Sequence, residues 1–509
     1  MRISTNMGSG INGDGPALSP EARELLRVTY LRPLRDAYSD MQSGRNSRLS
    51  HIIQNIPNLN SGTHQYQDGV QLNELSITGI ADLSNKLLSE HSSLKKTNDS
   101  IIKILSDKML LHKDSLQTQL RVAGTDALEI KKLTSLLEKL DLAIEYNAQT
   151  KKGNVGLGTS NIMSMACELL LNDENESRKR SSFLLIEEPE AHIHAQRQLR
   201  LLQSLQKDVK EKMQQIILTT HSPVLASVAE LENMIIMQDG VPFSLAKEKT
   251  LLEDDDYIYL ERYLDATKAN MFFARGVIIV EGPSEELLIP TIAKILGKDL
   301  VEHGVSIVNV RGVGLRRFSS IFQRKDEQVL LNVPVACITD RDIIPACAPA
   351  ICIDEKYISI DTYPTRNRKW KTEAEFATSE EKTAHVDELK AKADGQLVKT
   401  FVSEHWTLEY DLAYAGLMDE MLLTIARTKY VSENRASKLA DIKNEMDGFD
   451  TLEEKASYIY SYFYDGTSKA EFAQNLSSVL IETYLNAPEE LAKKLPAYIK
   501  DAISYVTVD

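Results

Sequence analysis

The chain is 509 residues long with 42% hydrophobic and 26% charged residues, the balance of an ordinary globular protein and too long for a single core, so two to four domains are expected. A formal net charge of -15 argues against simple charge-driven adhesion to DNA, but not against a site built from clustered carboxylates, which is itself acidic. The four cysteines (Cys167, Cys337, Cys347, Cys352) form no CxxC pair, which argues against zinc and a disulfide framework. No run reaches the ~18 apolar residues of a membrane helix, the start of the chain has no apolar signal region, and the cytoplasm is the expected compartment.

In chain order, a Gly/Ser/Asn-rich start is followed by VTYLRPLRDA (28–37), a buried strand running into a basic turn, and by GRNSRLSHIIQ (44–54), a helix start. From about 70 to 147 the pattern is helical, with Leu133, Leu136, Leu137 and Leu140 on one apolar stripe. The polar KKGNVGLGTSN (151–161) precedes a further helix. A β-α-β unit follows: strand SFLLIEE (182–188), helix 190–212, strand QQIILTTHS (214–222). A linking helix (251–272) leads to a second series: strand GVIIVEG (276–282), helix 284–297, strand VSIVNV (305–310) and strand VPVACITDRD (333–342). Charged helical stretches occupy the rest.

Both series place acids at strand C-termini, where open α/β sheets form their sites. In the first, Glu187 and Glu188 end an apolar strand, the arrangement in which an NTPase keeps a magnesium-holding acid and a water-activating glutamate. His221 ends the next strand, where it can sense a γ-phosphate. Gly158 and Ser160, in GLGTSN before a helix, sit where glycine backbone amides and a helix N-terminus point at phosphate. His192 and His194, following EEPEA, read as a subunit-contacting loop rather than a metal pair. A phosphate-cradling G-x-x-x-x-G-K-[ST] loop is not found; GSGINGDG (8–15) has the glycines without the lysine. The expectation is that ATP binds only if such a loop is supplied.

In the second series, Glu281 ends a strand and Glu285 sits four residues on, in the first turn of a helix. Asp340 and Asp342 close a later strand, where period two would point both the same way. Four carboxylates at neighbouring strand edges suit hard divalent cations, Mg²⁺ or Mn²⁺, and a two-metal site serves phosphodiester hydrolysis. Glu409 in HWTLEYDL is a candidate further ligand. Arg366, Arg368, Lys369 and Lys371 in RNRKWK combine cations with an aromatic, suiting nucleic-acid backbone contact and base stacking. VRGVG (310–314) is a lone GxG and carries little weight.

Taken in order, YLRPLRDA, GRNSRL, GLGTSN, LLIEEPEAHIHAQ, TTHSP, VIIVEGPSE, TDRD and SKAEFA resemble the OLD (overcoming lysogenization defect) family of nucleases, which fuse an ABC-type ATPase to a Toprim domain. The resemblance covers about residue 28 to the end and departs from the family in lacking the P-loop. It implies an α/β fold throughout, with an ABC-ATPase-like domain over 1–250 carrying a helical insertion at about 70–147. A Toprim domain follows over 273–410, and a helical part over 411–509 completes its site. It implies a metal-dependent DNA endonuclease acting in anti-phage defence, homodimers or larger assemblies formed through the ATPase-like half, a defence-system partner protein, and no membrane. It also implies a catalytic role for Lys469 beside Glu281. A Toprim primase or topoisomerase-like enzyme and a non-catalytic scaffolding ATPase relative are the competing readings.

Overall fold

A computed structural model describes residues 15–17, 19, 28–32, 43–44, 47–54, 56, 58–108, 118, 120, 129–140, 142, 144–146, 149–151, 158–159, 161–163, 165–166, 169, 183–212, 215–312, 314–357, 371–464 and 466–507. The chain divides into two compact units, Met1–Ser222 and Pro223–Asp509.

The first unit holds a parallel sheet of β1 (Val28–Leu31), β2 (Phe183–Glu187) and β3 (Gln215–Thr219), with β2 in the middle. The register pairs Tyr30 with Leu185 and Leu185 with Ile217. Leu31, Leu184 and Ile186 fall on one face and form a core with Met165, Ile193 and Leu205. The helix Ala195–Lys212 joins β2 to β3, the crossover that parallel neighbours require. The helical stretch expected over 70–147 appears as Ile77–Glu90, Ser92–Lys108 and Glu129–Leu137, with a short antiparallel hairpin of Ile144–Tyr146 and Gln149–Lys151 after them. The expected leucine stripe is cut short: the last of these helices ends at Leu137, which is fully buried, while Leu140 lies past it and is exposed.

The second unit is built on β4 (Gly276–Val280), β5 (Val305–Asn309), β6 (Val335–Thr339) and β7 (Val398–Val402), in the order β7-β6-β4-β5. All pairs are parallel. Every residue of β4 is buried, as in a parallel sheet covered on both faces. Alternation divides the strands cleanly. Ile278, Val280, Ala336 and Ile338 enter a core shared with the C-terminal helices, whereas Val277, Ile279, Val335 and Cys337 enter a second core with Leu260, Phe272 and Phe318.

Three helices bring the site together. α1 (Pro283–Ile295) begins with Pro in its first turn, where no amide hydrogen is missed, and carries Glu285 and Glu286 at its positive end. α2 (Leu408–Leu412) is capped by Thr407, whose hydroxyl accepts from the Tyr410 amide. α3 (Lys469–Tyr484) is capped by Ser468 and lies along α1. α4 (Ala497–Val506) backs the sheet against β6. The linking helix is shorter than the sequence implies: Asp254–Tyr263, then a 3₁₀ turn over Lys268–Phe273.

Candidate functional site

The carboxyl ends of β4 and β6 lie side by side, since Val280 pairs with Ile338 across the sheet. Glu281 and Asp340 therefore leave adjacent strands at one edge. Glu281 accepts a hydrogen bond of 2.5 Å from the Thr339 hydroxyl. Gly282 follows, and a Cβ there would meet the Glu285 Oε2 atom at 2.9 Å, so a larger residue would make the Glu285 carboxylate shift from its present place. Glu285 is buried, and its Oε2 has no hydrogen-bond partner.

Glu409, on α2, is also buried. It accepts from the Lys469 ammonium at 2.7 Å and from the Ser284 hydroxyl at 3.1 Å. The Leu408 amide donates to Asp340 Oδ1 at 3.1 Å, tying the start of α2 to the end of β6. The N-termini of α1 and α3 thus meet over the two strand ends. A buried brace holds α2 in place: Asp411 accepts from the amides of Glu404 at 2.6 Å, His405 at 3.2 Å and Trp406 at 3.3 Å.

The electrostatics follow from crowding acids in low dielectric. Glu285 is pushed up to about 7, first by burial and then by Glu409. Asp340 is driven well above the usual carboxylate range by burial, then by Glu285 and Glu409. Burial alone would depress Lys469; the Glu409 carboxylate, Tyr460 and Asp340 outweigh it and hold the ammonium above its ordinary range. Such a cluster is acid-rich, with one cation at its rim.

The sequence-predicted residues divide accordingly. Glu281, Glu285, Asp340, Glu409 and Lys469 act electrostatically on one another. Asp342 is different. Strand β6 stops at Thr339 and Asp342 has φ 58°, so the alternation expected to align it with Asp340 does not extend that far. Among the described residues no three acidic, His or Cys side chains converge tightly enough to hold a cation as they stand; Lys469 pairs with Glu409 instead. The donor set still suits a hard cation, because the carboxylates are oxygen donors and the buried Oε2 of Glu285 lacks a partner. Ser284, Thr339, Asp411 and Tyr498 were not singled out from sequence. Tyr498 is buried behind the cluster with no partner for its hydroxyl. Lys371 is exposed, its ammonium 5.6 Å from the Phe376 ring, while Arg366, Arg368 and Lys369 lie outside the described residues.

In the first unit, Glu187 and Glu188 stand at the end of β2. Tyr30 donates to Glu187 at 2.6 Å, and His221 Nε2 lies 3.7 Å from Glu188 Oε1. Glu190, not expected from sequence, links the two strand ends by accepting from the Thr220 hydroxyl at 2.8 Å and the His221 amide at 2.7 Å. Glu188 and His192 adopt left-handed backbone, φ 42° and 60°. Gly158 approaches so closely that a Cβ would lie 2.2 Å from the His192 carbonyl oxygen, a packing reason for glycine in GLGTSN. Ser160 and GSGINGDG up to residue 14 lie outside the described residues.

Two family models match the chain. Residues 272–342 match the model of the overcoming lysogenization defect protein-like TOPRIM domain, and residues 39–226 match an AAA ATPase domain. The chain carries an OLD-like Toprim domain behind an AAA-type ATPase domain. It is similar to Endonuclease GajA of Bacillus cereus (strain HuB5-5), 21% identical over 466 residues, covering 82% of this chain and 63% of that protein. It is also similar to Old nuclease of Escherichia phage P2, 25% identical over 201 residues, covering 37% of this chain and 33% of that protein. The chain thus spans less than two thirds of the curated relatives' length. The C-terminal region of the Xanthomonas campestris pv. campestris OLD protein aligns at 22% identity and a TM-score of 0.29, covering 47% of this chain and 94% of that one. That of Burkholderia pseudomallei gives 23% and 0.29, covering 46% and 98%. Among the described residues no helix is long and apolar enough to cross a membrane.

Proposed function

We propose that the second unit is a divalent-metal-dependent DNA endonuclease, serving in anti-phage defence as an assembly formed through the ATPase half. The reading is carried by one observation: Glu285, Asp340, Glu409 and Lys469, drawn from four separate elements, meet at the carboxyl edge of the sheet. Being named nucleases, the two curated relatives support the same class of reaction.

Glu281, Glu285, Asp340, Asp342 and Glu409 would hold Mg²⁺ or Mn²⁺. The bound cations would supply charge that stabilises the attacking and leaving oxygens of an in-line phosphodiester displacement. Burial and neighbouring acids hold Asp340 and Glu285 above the usual carboxylate range, and a bound cation would favour their ionised forms. Thr339 orients Glu281, and Ser284 orients Glu409. Lys469 compensates the acid cluster at rest, and would stabilise negative charge on the scissile phosphate during cleavage.

The test is cleavage of supercoiled and linear DNA by the purified chain with Mg²⁺ or Mn²⁺. Nicking or cleavage that EDTA abolishes is expected. Full activity in excess chelator would overturn the metal-dependent reading, and strand passage in place of nicking would favour a topoisomerase.

A further inference from the structure

The loop after β5 has no part in the cluster just described, yet it borders it. The Val310 amide donates to the Val280 carbonyl at 2.9 Å, so the chain leaving β5 runs directly beside the residue preceding Glu281. Asn309 ties the same place to α1, donating to Glu286 at 2.8 Å and accepting from the Arg311 amide at 2.9 Å. Arg311 and Gly312 then take consecutive left-handed conformations, φ 53° and 87°, and both are exposed. A non-glycine residue held in that region costs free energy that the surrounding hydrogen bonds must offset.

Two further guanidiniums follow in the same segment. Arg316 donates to both oxygens of Asp256, at 2.8 and 3.0 Å, and Arg317 Nε donates to Oδ1 at 3.0 Å. Asp256 is 1% exposed, whereas the arginine side chains are 39% and 33% exposed. One buried carboxylate thus anchors two arginines whose side chains stay partly exposed. Arg317 also stacks on Tyr259, its guanidinium carbon 4.2 Å from the ring centroid, and Tyr259 stacks in turn on the half-exposed Tyr263 at 4.3 Å. Fixing these long side chains in advance lowers the entropy lost when a ligand arrives. Planar, bidentate-capable guanidiniums suit phosphate oxygens.

We propose that Arg311, Arg316 and Arg317, supported by Asp256 and Tyr259, form a platform that grips the phosphate backbone of duplex DNA beside the carboxylate cluster. It rests on the nuclease reading and extends it: in a chain of net charge -15, substrate must be held by local cations, and these three stand in the segment bordering Glu281. The contacts are to phosphate, so they set register and not sequence preference.

The test is equilibrium binding of a fluorescent DNA duplex by the full chain in EDTA, where cleavage is silent, across a salt series. Arg311→Ala is the first variant, because that side chain is exposed. Arg316→Ala would leave buried Asp256 with one partner, so it is paired with Asp256→Asn/Arg316→Gln, which removes charge from both sides; far-ultraviolet circular dichroism checks the fold. Each loss of an arginine is expected to weaken binding several-fold and to lower the slope of log affinity against log salt by about one. Parent-like affinity and slope in all the folded variants would overturn the platform, leaving the nuclease reading intact if the parent still cleaves. Arginine-dependent binding by a parent that never cleaves with any divalent metal would overturn the nuclease reading alone. Preference for an RNA duplex, lost on the same substitutions, would overturn the assignment to DNA.

Discussion

At the scale of single residues, the carboxylates and the lysine of the cluster should separate by what they do. Asp340→Ala is expected to lose metal affinity and cleavage together, because in the proposed site this carboxylate would be a direct ligand. Lys469→Ala is expected to bind metal nearly normally while cleaving ~10²–10³-fold more slowly, since a donor aimed at developing charge contributes little to the ground state. Lys469→Arg should rescue poorly, a planar fork not replacing a point charge. Calorimetry with Mg²⁺ or Mn²⁺ beside single-turnover cleavage makes the comparison, and parent-like cleavage by Lys469→Ala would return this lysine to an ordinary ion pair. Glu285 gives a separate prediction in the chelated protein. Its carboxyl is pushed up to about 7 by burial and by Glu409, against an ordinary 4.5. Between those values the folded chain holds a proton that the unfolded chain has released, so stability falls as pH rises through that window. Asp340 is shifted in the same direction and adds to the slope. Melting temperatures between pH 5 and 7.5 should therefore fall more steeply for the parent than for Glu285→Gln; equal slopes would show that Glu285 does not titrate there.

At the scale of elements, much of the site was legible because β-α-β chemistry announces itself. Apolar strands ending in acids, VIIVEG and VACITD, announce two strands whose carboxyl ends share one edge of the sheet, and with them the positions of Glu281, Glu285 and Asp340. Ser468 three residues before Glu471 marks a helix start and places Lys469 in its first turn. The bracing was not legible, since neither the return of Asp411 to the 404–406 amides nor the approach of Tyr498 to the acids follows a helix or strand period. The alternation expected to align Asp342 with Asp340 assumes a strand that in fact stops at Thr339. The leucine stripe failed at Leu140 for the same reason: a period holds only while the element does. The unread brace yields its own prediction. Asp411 is 1% exposed and accepts three backbone hydrogen bonds, so Asp411→Ala should cost roughly 2–5 kcal/mol, charge-assisted bonds and buried amides being lost together. It should also weaken metal binding by displacing Glu409, two residues away. Chemical unfolding and metal titration read the two effects, and a stable variant with parent-like affinity would show that α2 is held by packing alone.

At the scale of the whole molecule, the two units differ in how complete their chemistry is. The second unit brings acids and a counter-cation from four elements into one cluster. The first unit presents acids at the end of β2 and His221 at the end of β3, with Glu190 locking the two strand ends. What holds a nucleotide, however, is chiefly the cradle of backbone amides and the lysine of a G-x-x-x-x-G-K-[ST] loop, which neutralise the phosphates. The sequence contains no such loop. A triphosphate approaching Glu187 and Glu188 therefore meets like charge with little to offset it beyond a bound magnesium ion and one exposed histidine. This chain alone is accordingly expected to bind ATP no tighter than the high-micromolar range, and its metal-dependent cleavage should proceed without nucleotide. Calorimetric titration with ATP and Mg²⁺, run beside Glu188→Gln and His221→Ala, provides the check. A submicromolar dissociation constant that both substitutions abolish would mean that another segment supplies the phosphate cradle.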